Sequence, residues 1–91
     1  MTAMKIKRWA IETHHLRQND EWLEGWVRSR FGEVTVNYCI KGDGWATFQM
    51  YFVDHCYCAS MPGKFSEDEL VSAARDFAEQ AHAMHEKGGA R

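Results

Sequence analysis

Proline is almost missing from this chain. Pro62 is the only one in 91 residues, so Pro-rich linkers are excluded and Pro62 marks the one clear joint. Cysteine is scarce and odd in number: Cys39, Cys56 and Cys58. Met1 to Arg8 carries charge with no apolar run after it, so no signal peptide is expected. Without secretion, an odd cysteine count argues against a disulfide framework. No stretch approaches the ~18–20 apolar residues of a membrane span. These absences lead us to expect a cytoplasmic protein. Charge of one sign is also lacking, with a net charge of −2. Residues 1–41 hold seven basic and five acidic side chains, and residues 42–91 four basic and eight acidic. That balance lacks the basic excess of duplex-DNA binders and is too mild for a DNA mimic. Leu, Ile, Val and Phe together number only 16. Twelve aromatic residues supply the missing bulk, so the core must lean on rings and methionines. The length suits one domain, residues 1–91, with one thin core.

The C-terminal region is written as a helix. Ser66 and Glu69 form a capping box, and Phe65 and Leu70 occupy the two staple positions. Glu67, Asp68 and Glu69 suit the positive end of the helix dipole. Leu70, Val71, Ala74, Phe77, Ala78, Ala81 and Met84 recur at helical spacing. The pattern predicts a helix over 67–87, ended by Gly88 and Gly89.

The middle of the chain alternates instead. Val34, Val36, Tyr38 and Ile40 interleave with Thr35, Asn37 and Cys39, the period of a half-buried strand. Gly42-Asp43-Gly44 suits a three-residue hairpin loop. That loop pairs Ile40 with Ala46, Tyr38 with Phe48, Val36 with Met50 and Val34 with Phe52. A turn at Asp54-His55 pairs Phe52 with Tyr57, Met50 with Ala59 and Phe48 with Met61. A turn at Gly32-Glu33 pairs Phe31 with Val34, Ser29 with Val36, Val27 with Tyr38 and Gly25 with Ile40. All three turns put one apolar face in common, and agreement across levels is evidence for a fold.

Residues 19–31 also fit a helix with Trp22, Leu23, Trp26, Val27 and Phe31 along one side. Gly25 costs that reading about 1 kcal/mol relative to Ala, and Arg30 breaks its stripe, so the strand is preferred. Lys5–Thr13 reads as the first strand and His14–Asp20 as loop. The expected fold is α+β: an antiparallel meander of four to five strands with one long C-terminal helix across one face. The alternative is β-α-β-β-β-α with residues 19–31 helical. In that case the last five elements resemble a double-stranded RNA-binding domain in order only. That family's second helix opens with a lysine cluster, where this chain has Ser66-Glu67-Asp68-Glu69.

One helix covers one sheet face. The other set of alternating residues is polar but carries Trp22, Trp26, Trp45 and Tyr51 together with Arg28 and Arg30. Trp, Tyr and Arg are the residue types enriched in binding hot spots. These six residues are the expected partner-binding set. A protein partner held through this face or by strand addition at an edge is the leading expectation, with self-association next to it. Small phage- or mobile-element-encoded inhibitors, anti-CRISPR proteins among them, share this size and class without a shared motif. By that analogy the chain acts by occluding a partner's surface. Single-stranded nucleic acid is the alternative occupant, its bases stacking on the rings and its phosphates on Arg28, Arg30 and Lys41. The Gly-aromatic signature of RNA-recognition domains is missing.

A small zinc protein is the third reading. Its candidate ligands are Cys56, Cys58, His82 and His85, beside His14, His15 and His55. Cys-x-Cys in a strand spaces its residues about 6.5–7 Å apart, too far for one zinc without bending, and the usual Cys-x-x-Cys is missing. No nucleophile has its motif context. We therefore expect no metal, no cofactor, no small-molecule substrate, no membrane association and no catalysis.

Overall fold

The computed structural model describes residues 14–89. Strands β1 (His14–Gln18), β2 (Trp22–Ser29), β3 (Gly32–Cys39), β4 (Trp45–Phe52) and β5 (His55–Pro62) precede helix α1 (Glu67–Gly89). The strands form one antiparallel sheet in the order β1-β2-β3-β4-β5. Helix α1 packs on β2, β3 and β4. The α+β meander expected from the sequence is the fold. Residues 22–29 are strand, so the β-α-β-β-β-α alternative and its RNA-binding resemblance fall.

The first strand is a correction. Residues 14–18, expected as loop, pair with β2 from His14↔Val27 to Gln18↔Leu23. The turn after them is held by Asn19, whose Oδ1 accepts the N–H groups of Glu21 (2.9 Å) and Trp22 (2.8 Å). Such an Asx turn is a standard use of Asn. The strand expected at Lys5–Thr13 lies outside the described residues.

The three hairpins from β2 to β5 have the expected faces and different registers. Val27 pairs with Val34 and Leu23 with Tyr38. Val36 pairs with Phe48 and Tyr38 with Ala46. Phe52 pairs with His55, Met50 with Tyr57 and Phe48 with Ala59. The two-residue turns are Arg30-Phe31 and Val53-Asp54, and the β3–β4 loop runs through five residues, 40–44. Each register differs from the expected one by an even number of residues. Side chains alternate with period two, so an even slip keeps every residue on its face. Local bonds decide the turns. Ser29 Oγ accepts the Phe31 N–H (3.1 Å) and donates to the Gly32 carbonyl (2.8 Å), which closes the first turn ahead of Gly32.

Leu23, Val27, Val34, Val36, Tyr38, Ala46, Phe48 and Met50 form the buried sheet face, and Leu70, Val71, Ala74, Ala78 and Ala81 the helix face. The alanines let α1 approach closely. Phe77 stacks on Phe48 with ring centres 6.1 Å apart. Met84, placed in the helical stripe by its spacing, is instead 59% exposed. The helix includes Gly88 and Gly89, so the glycines do not stop it at Lys87.

The capping box is formed: Glu69 N–H donates to Ser66 Oγ (3.2 Å) and Ser66 N–H to Glu69 Oε1 (2.8 Å). The segment leading to it is tied to the sheet by the 5%-exposed Tyr38. Its hydroxyl accepts the Phe65 N–H (3.0 Å) and donates to the Gly63 carbonyl (3.4 Å). Lys64 Nζ donates to the carbonyls of Gly42 (2.6 Å) and Ile40 (3.4 Å). Gly63 N–H donates to the Gly44 carbonyl at 3.1 Å. Gly44 has φ 87°, and a Cβ there would run into the Gly63 carbonyl, so this seam needs glycine.

Two stability predictions follow from this packing. Tyr38→Phe keeps the ring and removes both hydroxyl bonds, with an expected loss of about 1–3 kcal/mol in chemical denaturation; an unchanged midpoint shows that the seam does not hold the helix. Phe48→Ala is expected to cost roughly 3–5 kcal/mol, while Gln49→Ala on the opposite face stays within about 0.5 kcal/mol. The reverse ranking would place the wrong face under the helix.

Candidate functional site

The registers arrange the uncovered face in rows across the strands. Trp22, Cys39, Trp45 and Pro62 make the first row. Arg17, Glu24, Asn37, Thr47 and Ser60 make the second, and His15, Trp26, Thr35, Gln49 and Cys58 the third. Arg28 and Glu33 pair at the end of β2 and β3, and Tyr51 pairs with Cys56 at the end of β4 and β5. Trp22 is 40%, Trp45 50% and Tyr51 64% exposed, while Trp26 is half-buried. Trp22 and Trp45 lie two strands apart, a spacing of about 10 Å.

Five of the six nominated residues share this face. Arg30 does not. It sits in the β2–β3 turn, with its guanidinium 3.9 Å from Glu79 of α1 and 5.5 Å from the Phe31 ring centre, which is the helix side. Turn residues have no strand alternation, and extending the period past Ser29 put Arg30 on the wrong side. His15 and Arg17 belong to the face and were missed. Of the inward-facing residues His14, Leu16 and Gln18 only Leu16 is apolar, so alternation does not register in this segment.

Two broad, shallow depressions adjoin in the centre. One, of about 430 Å³, is lined by His15, Arg17, Glu24, Trp26, Thr35 and Asn37 among others. The other, about 310 Å³, is lined by Trp22, Glu24, Asn37, Thr47 and Gln49. They share Glu24 and Asn37. The Arg28 guanidinium lies 5.4 Å from the Trp26 ring centre and donates to Glu33 Oε2 at 2.9 Å. His15 lies against the same Trp26 ring, 6.2 Å between centres. Lys41 Nζ donates to Glu21 Oε2 at 3.4 Å. Each cation nominated for phosphate, Arg28, Arg30 and Lys41, therefore already faces a carboxylate.

At the β5 edge, Tyr51 donates to Gln49 Oε1 (3.4 Å) and Gln49 Nε2 to Cys58 Sγ (3.6 Å). Partial desolvation raises the Cys56 thiol above its usual value, helped by its hydrogen bond to and charge repulsion from Cys58; a hydrogen bond with Tyr51 opposes this. The Tyr51 phenol is raised too, first by the charge of Cys56, then by their hydrogen bond, desolvation and Cys58. A thiol nucleophile needs its pKa lowered, and here the shift runs the other way.

The histidines proposed as zinc ligands point elsewhere. His82 stacks on Phe31 (4.4 Å between ring centres) and His85 on Phe52 (4.1 Å). Both are on the helix side, whereas Cys56 and Cys58 face away from it. Among the described residues no three His, Cys, Asp or Glu side chains converge to hold a metal. No described helix is long and apolar enough to cross a membrane. No protein-family model, curated protein or solved structure matches the chain.

Because its pKa is raised, Cys56 is expected to react sluggishly at neutral pH. Iodoacetamide alkylation of the wild-type protein, followed at Cys56 by peptide mass spectrometry, should show a midpoint above the ordinary thiol value of about 8.5. A midpoint below it would overturn the electrostatic description of this edge.

Proposed function

We propose that this domain binds another protein through the face opposite α1. The observation that carries the reading is the row Trp22, Cys39 and Trp45, with exposed Trp22 and Trp45 at one end of the sheet, half-buried Trp26 at its centre and exposed Tyr51 towards the other end. Exposed contiguous aromatic surface tends to mark interaction sites. Trp and Tyr bring large contact area with few rotatable bonds, and Arg28 brings a guanidinium already held over Trp26. Between them lie the neutral hydrogen-bonding groups of Thr35, Asn37, Thr47 and Gln49, as in a mixed apolar and polar interface. The depressions are broad and shallow, a shape that suits side chains of a partner. Occlusion of a partner's surface, as small inhibitor proteins achieve it, needs no more than such a face. The exposed thiols of Cys56 and Cys58 suit a reducing compartment such as the cytoplasm.

Single-stranded nucleic acid fits the face less well. Its affinity rests on cations free to neutralise phosphates, and Arg28 and Lys41 are paired with Glu33 and Glu21 while Arg30 belongs to the other side.

The test compares wild type with a Trp26→Ala, Trp45→Ala double variant of unchanged melting behaviour. A partner identified on the wild type by affinity capture and mass spectrometry is expected to bind the variant at least ~30-fold more weakly, the loss of about 2 kcal/mol typical of hot-spot residues. Its affinity for wild type should vary little with salt. Equal binding by the variant, or tight binding of a labelled oligothymidylate with a steep salt slope, overturns the proposal.

A further inference from the structure

Strand β5 ends the sheet, and among the described residues nothing pairs with its outer edge. Proteins protect such edges with charge, short strands, bulges or proline. The opposite edge is protected in this way: the described part of β1 carries Arg17. Strand β5 runs eight residues, His-Cys-Tyr-Cys-Ala-Ser-Met-Pro, without a Lys, Arg, Asp or Glu, and its ladder with β4 has no bulge.

The outward backbone groups can be assigned. Gly63 N–H donates to the Gly44 carbonyl, and Gly44 and Gly63 continue the β4–β5 register. In an antiparallel ladder hydrogen-bonded pairs alternate, so His55, Tyr57, Ala59 and Met61 turn their backbone groups to β4. Cys56, Cys58 and Ser60 turn both N–H and C=O outward. Pro62 has the same outward parity and has no N–H to leave unpaired, the position proline tolerates in an edge strand.

We infer that β5 pairs antiparallel with β5 of a second copy of this chain, about a two-fold axis at Cys58, joining two sheets into one. Opposed residues must share a face, so the axis passes through a residue. With the axis at Cys58, Cys58 meets Cys58 of the second copy, and Cys56 meets Ser60 in both directions. Every outward N–H and C=O of these three residues then has a partner. Moving the axis to Ala59 sets Cys56 against Pro62 and leaves the Cys56 carbonyl without a donor. Moving it to Tyr57 sets Ser60 against Asp54 in the turn.

The side chains agree with the same axis. A two-fold contact brings each residue to its own counterpart or exchanges a pair, and a charged strand would repel itself. This strand has no carboxylate or ammonium to do so. On the helix side, half-buried Tyr57 comes to lie beside half-buried Ala59 of the second copy, a large ring against a small residue, twice. His55 meets Met61, a favourable sulfur–aromatic contact. On the open face Ser60 faces Cys56. The contact is separate from the aromatic face of the preceding section and stands without it.

Sedimentation and light scattering at micromolar concentrations test the pairing in the full chain. Wild type is expected at twice the chain mass of 10.6 kDa. Ser60→Pro removes an outward N–H and nothing from the ladder with β4, so its melt should match the wild-type monomer while association weakens at least ~10-fold. Cys58→Lys, which opposes two like charges at the axis, is the second variant and should also be monomeric. Directly opposed side chains in a hydrogen-bonded pair have Cβ atoms about 5.5 Å apart, within reach of a short bifunctional thiol reagent. Bis-maleimide treatment of a chain keeping only Cys58 should therefore link two copies, and a chain keeping only Cys39 should not link. A monomeric wild type, as when residues 1–13 of the same chain cover the edge, overturns the inference. So does a Ser60→Pro protein that associates like wild type, or linkage through Cys39 as fast as through Cys58.

Discussion

Helix α1 can shield the sheet only if the chain turns back over it in one way, and a single phenolic oxygen fixes that turn. Tyr38 is buried in β3, in the middle of the sheet, and its hydroxyl holds both Gly63 and Phe65. The capping box one residue later then starts the helix in a defined direction. The alanine ridge at Ala74, Ala78 and Ala81 belongs to the same buried cluster as Val34, Val36 and Phe48. The apolar alternation of the strands selects the face to be covered, and the Tyr38 seam sets where the chain crosses over to it. The open face with its tryptophans is what remains.

Side-chain parity was legible in the sequence, and strand offset was not. Val34, Val36, Tyr38, Ala46, Phe48 and Met50 alternate so plainly that the core could be read before the structure. Offsets depend on the turns, where glycines drew the reading to Gly32-Glu33 and Gly42–Gly44. The chain turns instead at Arg30-Phe31, because the Ser29 hydroxyl closes that bend. The β3–β4 loop takes five residues, because Gly44 is needed beside Gly63. Hydrophobic pattern cannot correct such errors, since an even slip buries the same residues. Leu16 gave too little pattern for β1, and Asn19, the first residue of the helical alternative, serves as the Asx residue of a tight turn.

The same division holds for the open face. Trp22, Trp26, Arg28, Trp45 and Tyr51 follow from alternation alone. Their neighbours do not, because row membership depends on offset: Trp22 stands in line with Trp45 only once β2 and β4 are set against Cys39. Charge pairing was less legible still. Arg28 meets Glu33 across a strand pair, and Lys41 reaches Glu21 across 20 positions of sequence. These pairs are exposed and each is worth at most about 1 kcal/mol, yet together they occupy two of the cations that a phosphate backbone would need.

The meander also sets a sequence of events in time. Every strand contacts its immediate neighbour along the chain, so sheet assembly proceeds by closing short loops, the least costly kind in entropy. The contacts of Tyr38 with Gly63 and Phe65 span 25 and 27 positions and connect elements that must already exist. The topology therefore implies hairpins first and helix docking last. Until it docks, the sheet shows two aromatic faces to water instead of one, and hairpins with even slips bury nothing less than the native ones. The last step selects among them: only the native offset brings Gly44 to Gly63 and the Tyr38 hydroxyl to Phe65, so closure of the seam acts as a proofreading step on the registers laid down before it.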